Sequence, residues 1–236
     1  MFYGLELTPP FFEIGPKAYL FGDDVLALAK CADFVSSNFN VQIIFTPQTV
    51  DIPLVAQGTK NLLVFAQHMD SLPVGRGIGS VLPEAIKAAG AVGVLLNHAE
   101  KPLALTEIER TIRRADEVGL ATLVCAGNLK EVKAIAAMRP NIVLAEAPEL
   151  IGVGKRCQND QQAIQKINEI VWKVDPAIRV MHSAGISSGK DVYEIIKLGA
   201  QATGSTSGVI KAKDPCAMVE EMVSSVRRAW DETHPK

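Results

Sequence analysis

The 236-residue chain lacks the features that mark several classes of protein. It has no basic excess, because 24 Lys and Arg face 26 Asp and Glu, for a net charge of −2. Nucleic acid is therefore not an expected partner, since binding to a phosphate backbone depends on clustered positive charge. No apolar run approaches the roughly 18 residues of a membrane span, so no membrane partner is expected either.

Cysteine is also scarce, with four residues that are never in CxxC spacing. This usage indicates reduced thiols in a cytoplasmic protein, and neither a disulfide framework nor a zinc site is expected. The start of the sequence, MFYGLE, has no basic region followed by an apolar run, so no secretory signal is expected. The four residues are Cys31, Cys125, Cys157 and Cys216.

The composition suits a folded core, since 48% of the residues are hydrophobic and 21% are charged. Short runs that are apolar on both faces alternate with segments of helical periodicity, as in a parallel sheet covered by helices. Eight such units without a linker predict one (β/α)₈ barrel domain over residues 1–236, and a doubly wound open sheet is the alternative. The predicted strands lie at 11–14, 41–45, 62–65, 92–96, 121–124, 142–145, 178–181 and near 202.

In such a barrel the active site lies at the carboxyl ends of the strands. Lys17, His98 and Glu146 each follow a predicted strand and are expected to meet at one mouth. Together they fit an enolisation, in which Glu146 removes a proton beside a carbonyl, His98 polarises that carbonyl and Lys17 stabilises the negative charge. Residues 147–155 contain two glycines and one proline, and we expect them to form a lid that excludes water.

The loops after strands 7 and 8, at 183–187 and 204–208, are rich in small residues. Such loops let backbone N–H groups approach an anion, so we expect a phosphate to bind there. The remaining histidines are expected to be structural, although one of them follows strand 3 and could line the mouth. They are His68, His182 and His234.

Five segments resemble the short, archaeal-type triosephosphate isomerases over roughly residues 11–228. They are AQHMD (66–70), GSVLPEA (79–85), GAVGVLLNHAE (90–100), PELIGVG (148–154) and KAKDP (211–215). That family is the type example of a carboxylate base, a neutral histidine electrophile and a closing loop. The resemblance implies interconversion of dihydroxyacetone phosphate and glyceraldehyde 3-phosphate, with no metal or organic cofactor. It also implies a homo-oligomer, a dimer or tetramer, whose subunits meet at residues 71–78.

Carried over position by position, the resemblance assigns the histidine to His98, the base to Glu146 and the lysine to Lys17. It adds Glu100 as an acidic partner in the catalytic site. The positions implied for substrate and phosphate are Gly15, Lys17, Ile151, Gly152, Gly185, Thr206 and Ser207.

This sequence departs from the family pattern beside the site. The Asn of the family's Asn-x-Lys motif is Gly15, the Ser after the histidine is Ala99, the Pro after the base is Ala147, and a Gly near strand 7 is Ser183. Loss of bulk at Gly15 and Ala99 favours room for a larger substrate. An isomerase of a related phosphosugar, such as a tetrulose phosphate, therefore remains an alternative, as does a paralogue that binds a sugar phosphate without turnover.

Overall fold

The computed structural model describes residues 1–146, 158–183 and 185–235, with the backbone alone at 158–160. Its strands are β1 (Phe11–Ile14), β2 (Gln42–Phe45), β3 (Leu62–Ala66), β4 (Gly93–Leu96), β5 (Ala121–Ala126), β6 (Ile142–Ala145), β7 (Arg179–His182) and β8 (Ala202–Gly204). All are parallel and pair in chain order, and β1 also pairs with β8, which closes the sheet. The predicted (β/α)₈ barrel is confirmed, and the open sheet is wrong.

Alternation along each strand sends side chains to two separate cores. Phe11, Ile44 and Phe65 belong to a cluster that fills the barrel interior, whereas Phe12 and Ile14 pack outward against the helices. Because β1 follows the same alternation, Glu13 points to the interior, one layer above Phe11. An acidic side chain thus lies inside a strand whose four residues are all buried.

Helices cover the outside of the barrel. They are α1 (Gly22–Phe39), α2 (Ile52–Gly58), α3 (Pro83–Ala88), α4 (Leu105–Val118), α5 (Leu129–Ala137), α6 (Gln158–Val174), α7 (Gly189–Lys197), α8 (Ser207–Ile210) and α9 (Pro215–Thr233). The stretch from Thr106 to Glu109 resembles a capping box, but α4 begins at Leu105, so Thr106 lies within the helix and does not cap it. In the described part of the chain, no helix combines the length and the apolar character that crossing a membrane requires.

The first ten residues lie across the amino-terminal end of the barrel. Leu7 belongs to the interior core, and Phe2 and Leu5 pack against it. Two side chains from distant parts of the chain fix this segment, as Arg179 Nε donates to the Leu7 carbonyl at 2.9 Å and Asn141 Nδ2 to the Phe2 carbonyl at 2.6 Å. The segment therefore closes the end of the barrel opposite the mouth.

The prediction of four reduced cysteines is wrong for two of them. Cys31 in α1 and Cys216 in α9 form a disulfide, with their Cα atoms 5.8 Å apart and 185 residues of separation along the sequence. Spacing rules miss this pair because neither cysteine lies near another in sequence. Cys125 is a free, buried thiol, and Cys157 lies outside the described residues.

Candidate active site

A cavity of ≈ 370 Å³ opens at the carboxyl ends of the strands. Side chains that follow β1, β4 and β6 line it, namely Lys17, His98, Glu100 and Glu146. The structure therefore brings to one mouth the three groups that the sequence places on distant segments, and Glu100 with them. Gly15 and Thr206 line the same cavity.

The side chain of Lys17 is held by an ion pair, and its backbone is held by hydrogen bonds from two amide side chains. Its Nζ donates to Glu100 Oε1 at 2.7 Å, and this hydrogen bond holds the pKa of Glu100 below its usual range. The backbone of Lys17 has a φ of 49°, a left-handed conformation that costs a non-glycine residue about 1–3 kcal/mol. Two amide side chains hold it there, because Gln48 and Gln67 each donate to the Lys17 carbonyl at 3.1 Å.

His98 is presented by a fixed turn after β4. The preceding residue, Asn97, has a φ of 57°, and its side chain donates to the Cys125 carbonyl and accepts from Leu103 N–H, both at 2.9 Å. The backbone N–H of Glu100 donates to His98 Nδ1 at 3.1 Å. Nδ1 therefore acts as an acceptor in this arrangement, which leaves Nε2–H to donate a hydrogen bond to a carbonyl oxygen.

Glu146 directly follows β6 and is half-buried in the cavity wall. Its N–H donates to the Ala126 carbonyl at 3.0 Å, which extends the sheet by one residue and fixes the start of the side chain. Burial raises the pKa of this carboxyl, and the nearby His98 and Lys17 oppose the rise. A carboxylate with a raised pKa is a stronger base than a solvated one, as proton abstraction from carbon requires.

Glu13 is a member of the cavity wall that the sequence reasoning missed. It accepts a hydrogen bond from Thr46 Oγ1 at 3.1 Å and is almost fully buried. Burial raises the pKa of this carboxyl to about 7. The available signal was a single acidic residue within an otherwise apolar strand, which is unusual because buried carboxylates are costly unless they are paired.

The loops after β7 and β8 form the adjoining part of the rim. Ser183 and Thr206 line the cavity, and Ser205 Oγ joins the two loops by donating to the Ile186 carbonyl at 2.9 Å. The predicted phosphate contacts Gly185, whose φ is 64°, and Ser207 lie on these loops but outside the cavity lining. Ile151, Gly152 and the rest of the predicted lid at 147–155 fall outside the described residues.

The other histidines occupy different environments. His68 lines the cavity, and its Nε2 lies 3.2 Å from Asp70 Oδ1. His182 is fully buried with Nε2 2.9 Å from Asn168 Oδ1, and burial lowers its pKa to about 3. His234 stacks on Trp230 near the end of the chain.

Within residues 1–146, 158–183 and 185–235, no group of three or more His, Cys, Asp or Glu side chains could hold a metal ion.

Comparison with known proteins agrees with this geometry. A family model described as triosephosphate isomerase matches residues 20–222. The chain belongs to the triosephosphate isomerase family. The match begins after β1, so Glu13, Gly15 and Lys17 lie before its first residue. The prediction drawn from the five resembling segments is confirmed.

Named relatives cover almost the whole chain. Triosephosphate isomerase from Methanobacterium bryantii is 39% identical over 213 residues, which is 89% of this chain and 94% of that protein. The enzyme from Methanosarcina barkeri is 39% identical over 217 residues, or 91% of this chain and 97% of that protein. The enzyme from Saccharolobus solfataricus is 35% identical over 227 residues, or 94% and 99%. Like its family, this protein is an aldose–ketose isomerase.

Proposed function

We propose that this protein interconverts dihydroxyacetone phosphate and glyceraldehyde 3-phosphate. The observation that carries the proposal is the arrangement of three groups around one cavity: a carboxylate with raised pKa at Glu146, an Nε2–H donor at His98 and the ammonium of Lys17. The names of the relatives, all triosephosphate isomerases, support the three-carbon substrate.

The reaction follows from the chemistry of these groups. Glu146 takes a proton from C1 of dihydroxyacetone phosphate, and the electron pair of that C–H bond forms the C1–C2 double bond of an enediolate. Nε2–H of His98 donates to the oxygen on C2, and Lys17 stabilises the negative charge that develops there. Return of the proton from Glu146 to C2, with loss of the O1 proton and gain of one at O2, gives glyceraldehyde 3-phosphate. Glu100 keeps the Lys17 ammonium in place through their 2.7 Å ion pair.

The phosphate is proposed to bind on the rim formed by the loops after β7 and β8. Thr206 lines the cavity, and the backbone N–H groups of Gly185 and Ser207, on the same two loops but outside the cavity lining, are proposed to contact the phosphate. Ile151 and Gly152 are proposed to complete this site. No organic or metal cofactor has a role in the proposed reaction.

A larger substrate such as a tetrulose phosphate is not favoured. The room expected at Gly15 is occupied, because a Cβ there would lie 2.8 Å from Glu13 Oε1. Ala99 is exposed and is not among the residues that line the cavity. The two substitutions that suggested extra space therefore do not enlarge the site.

A panel of three- and four-carbon sugar phosphates tests the substrate. We expect turnover in a coupled assay with glyceraldehyde 3-phosphate, together with exchange of solvent deuterium into C1 of dihydroxyacetone phosphate. Faster turnover of a four-carbon substrate would contradict the proposed substrate. Absence of both turnover and exchange with every member of the panel would leave a binding protein instead.

We further propose that residues 1–236 form a single domain that assembles as a homo-oligomer, a dimer or tetramer, through residues 71–78. Val74 and Ile78 in this segment are exposed, at 69% and 109%, and such apolar side chains suit a subunit contact. Sedimentation of the purified protein, compared with a Val74→Asp, Ile78→Asp variant, tests the assembly.

We also propose a cytoplasmic location, because a doubly charged phosphate ester does not cross a bilayer unaided.

A further inference from the structure

The most unusual side chain in the cavity is Glu13, which no step of the proposed reaction uses. Strand alternation directs it into the barrel interior, above the apolar layer of Phe11. It is 7% exposed and lines the cavity with Lys17 and Glu146. A carboxyl at this depth is costly in an apolar interior, so its presence needs an explanation beyond packing.

Two glycines make the space that the Glu13 carboxyl occupies. A Cβ built on Gly15 would lie 2.8 Å from Glu13 Oε1, and one built on Gly204 would lie 2.8 Å from Glu13 Oε2. Both distances are shorter than real Cβ contacts, so Gly15 tolerates no side chain while Glu13 keeps this rotamer. Gly204 tolerates none in any case, because its Cβ would also lie 2.8 Å from the Glu13 backbone oxygen and 2.6 Å from Met181 Cε. Position 15, which holds Asn in the family pattern, is thus a glycine whose side-chain volume is occupied by the Glu13 carboxyl.

The surroundings of Glu13 are polar on the cavity side. Thr46, after β2, donates to it, and Thr206, after β8, has its hydroxyl 3.3 Å from the Gly15 Cβ position. The charged and titratable groups that act on the carboxyl are Lys17, which favours its ionisation, and Glu146, which opposes it. The buried thiol of Cys125, from β5, also lies within electrostatic reach.

We propose that Glu13 is a substrate-contacting residue, whose carboxyl hydrogen-bonds a hydroxyl of the phosphosugar bound between Lys17 and Glu146. This inference rests on the proposed function and deepens it, because it assigns to β1 a specificity contact that position 15 no longer supplies. The protonated carboxyl donates to a substrate oxygen. The ionised carboxyl adds negative charge to a site that already holds Glu146 and must accept an anionic phosphate.

The first test compares the parent protein with Glu13→Gln and Glu13→Ala, using dihydroxyacetone phosphate. We expect Glu13→Ala to lower kcat/KM by about ten- to a hundredfold, mostly through KM, because a buried hydrogen bond to substrate is lost. The isosteric Glu13→Gln variant keeps a donor and is expected to stay within about threefold of the parent near pH 6. Thr203→Val is the control, since Thr203 is buried on β8, does not line the cavity and has an unpartnered hydroxyl.

The pH dependence of KM distinguishes a contact between Glu13 and substrate from a role of Glu13 in packing alone. KM of the parent should rise as the pH passes from about 6 to about 8, while KM of Glu13→Gln should change much less over the same range. Titration of the substrate phosphate is common to both proteins and cancels in this comparison. Parallel KM profiles in the two proteins would overturn the proposal.

The close approach of Gly15 to the Glu13 carboxyl gives a second, independent test. Gly15→Asn alone should impair the enzyme, because its side chain collides with the Glu13 carboxyl. Gly15→Asn in the Glu13→Val background has room for its amide, so the double variant should be at least tenfold more active than Glu13→Val. Gly15→Leu in the same background fills the volume without an amide, so a packing role predicts equal rescue by Leu and Asn. Equal rescue by the two, or no rescue by Asn, would contradict the proposal.

Failure of the proposed function is distinguishable from failure of this inference. If the parent isomerises dihydroxyacetone phosphate and all Glu13 variants match it within twofold in kcat and KM, the inference is wrong and the function stands. If the parent shows no turnover, calorimetric binding of dihydroxyacetone phosphate decides. A tenfold weaker affinity of Glu13→Ala supports the contact, and equal affinity or no binding to the parent overturns it.

Discussion

Three side chains of the cavity differ in how tightly their neighbours hold them. Lys17 is fixed by an ion pair and by two amides on its strained backbone, and His98 by the turn at Asn97. The main chain of Glu146 is fixed by the sheet, and burial raises the pKa of its carboxyl while His98 and Lys17 oppose the rise. The lysine and the histidine are thus positioned before substrate arrives, as electrostatic stabilisation of a transition state requires.

At the same scale, Glu146→Asp and His98→Gln should each lower kcat by at least a hundredfold. The first withdraws the base by about one methylene, and a small displacement of a reacting group is costly; the second removes the acid–base function of the ring. Steady-state assays with glyceraldehyde 3-phosphate measure the loss. Glu220→Asp and His234→Gln, both at exposed positions on or beside α9, are matched controls. Activity close to that of the controls would contradict the assigned roles.

Glu13 also predicts how stability varies with pH. Its pKa in the folded protein, about 7, lies above its ordinary value of 4.5, so the folded state holds this proton more tightly than the unfolded chain does. The resulting stabilisation is fully present below about pH 4.5 and is lost as the pH rises through 7, for a total of about 3 kcal/mol. Urea unfolding of the parent and of Glu13→Gln between these values measures it. A constant difference between the two proteins would contradict the assigned pKa.

At the scale of the element, apolar runs in the sequence locate the strands, whereas the start of α4 is less clear. A strand buried on both faces is a short apolar run, so 11–14 and 142–145 agree with β1 and β6 to the residue. Helix α4 begins before the Thr106 that resembles a cap, because a capping motif also fits inside a helix. The short helices α2 and α8 have too few turns to show a helical period.

The site residues also differ in how far the sequence predicts them, because some are marked by their position after a strand and one only by its neighbours in space. Lys17, His98 and Glu146 were predictable because each polar residue directly follows an apolar run at a known end of a barrel. For Glu13 the sequence offers only an acidic residue in an apolar run, because its importance comes from its proximity in space to Gly15 and to Gly204, which is 191 positions away.

One helix start is a clear element-level test. Asp214 precedes α9, and its Oδ1 accepts from Cys216 N–H and Ala217 N–H, both at 3.0 Å. Asp214→Ala should lower the free energy of unfolding by about 1 kcal/mol, because two N–H groups of the first turn lose their partner. Urea unfolding measures the change, with the exposed Lys213→Ala as the control. A loss no larger than that of the control would show that the cap contributes nothing.

At the scale of the whole molecule, the barrel has one open and one covered end. The first ten residues close the amino-terminal end, and the mouth with its acidic and basic side chains opens at the other. The helices that flank β1, α1 and α9, are joined by the Cys31–Cys216 disulfide. The barrel is therefore linked covalently across the place where its first and last strands meet.

Removal of this disulfide should destabilise the protein without changing its chemistry. The loop closed by the bond spans 185 residues, for which loss of unfolded-state entropy gives about 5 kcal/mol as an upper figure. The Cys31→Ser, Cys216→Ser variant should therefore unfold at lower urea concentration, with kcat and KM unchanged; Cys125→Ala is the control. Mass spectrometry after alkylation of cell extracts measures whether the bond is formed in the cell. Two fully alkylated thiols and equal stability would contradict its role.

The position of this bond also affects how damage to the chain would be detected. A protease cut at any peptide bond between residues 32 and 215 yields two fragments that the cystine still connects. Nicked and intact molecules would then have the same mass, apart from one water, until a reductant is added. Comparison of electrophoresis with and without dithiothreitol therefore maps accessible surface loops while the fragments stay together.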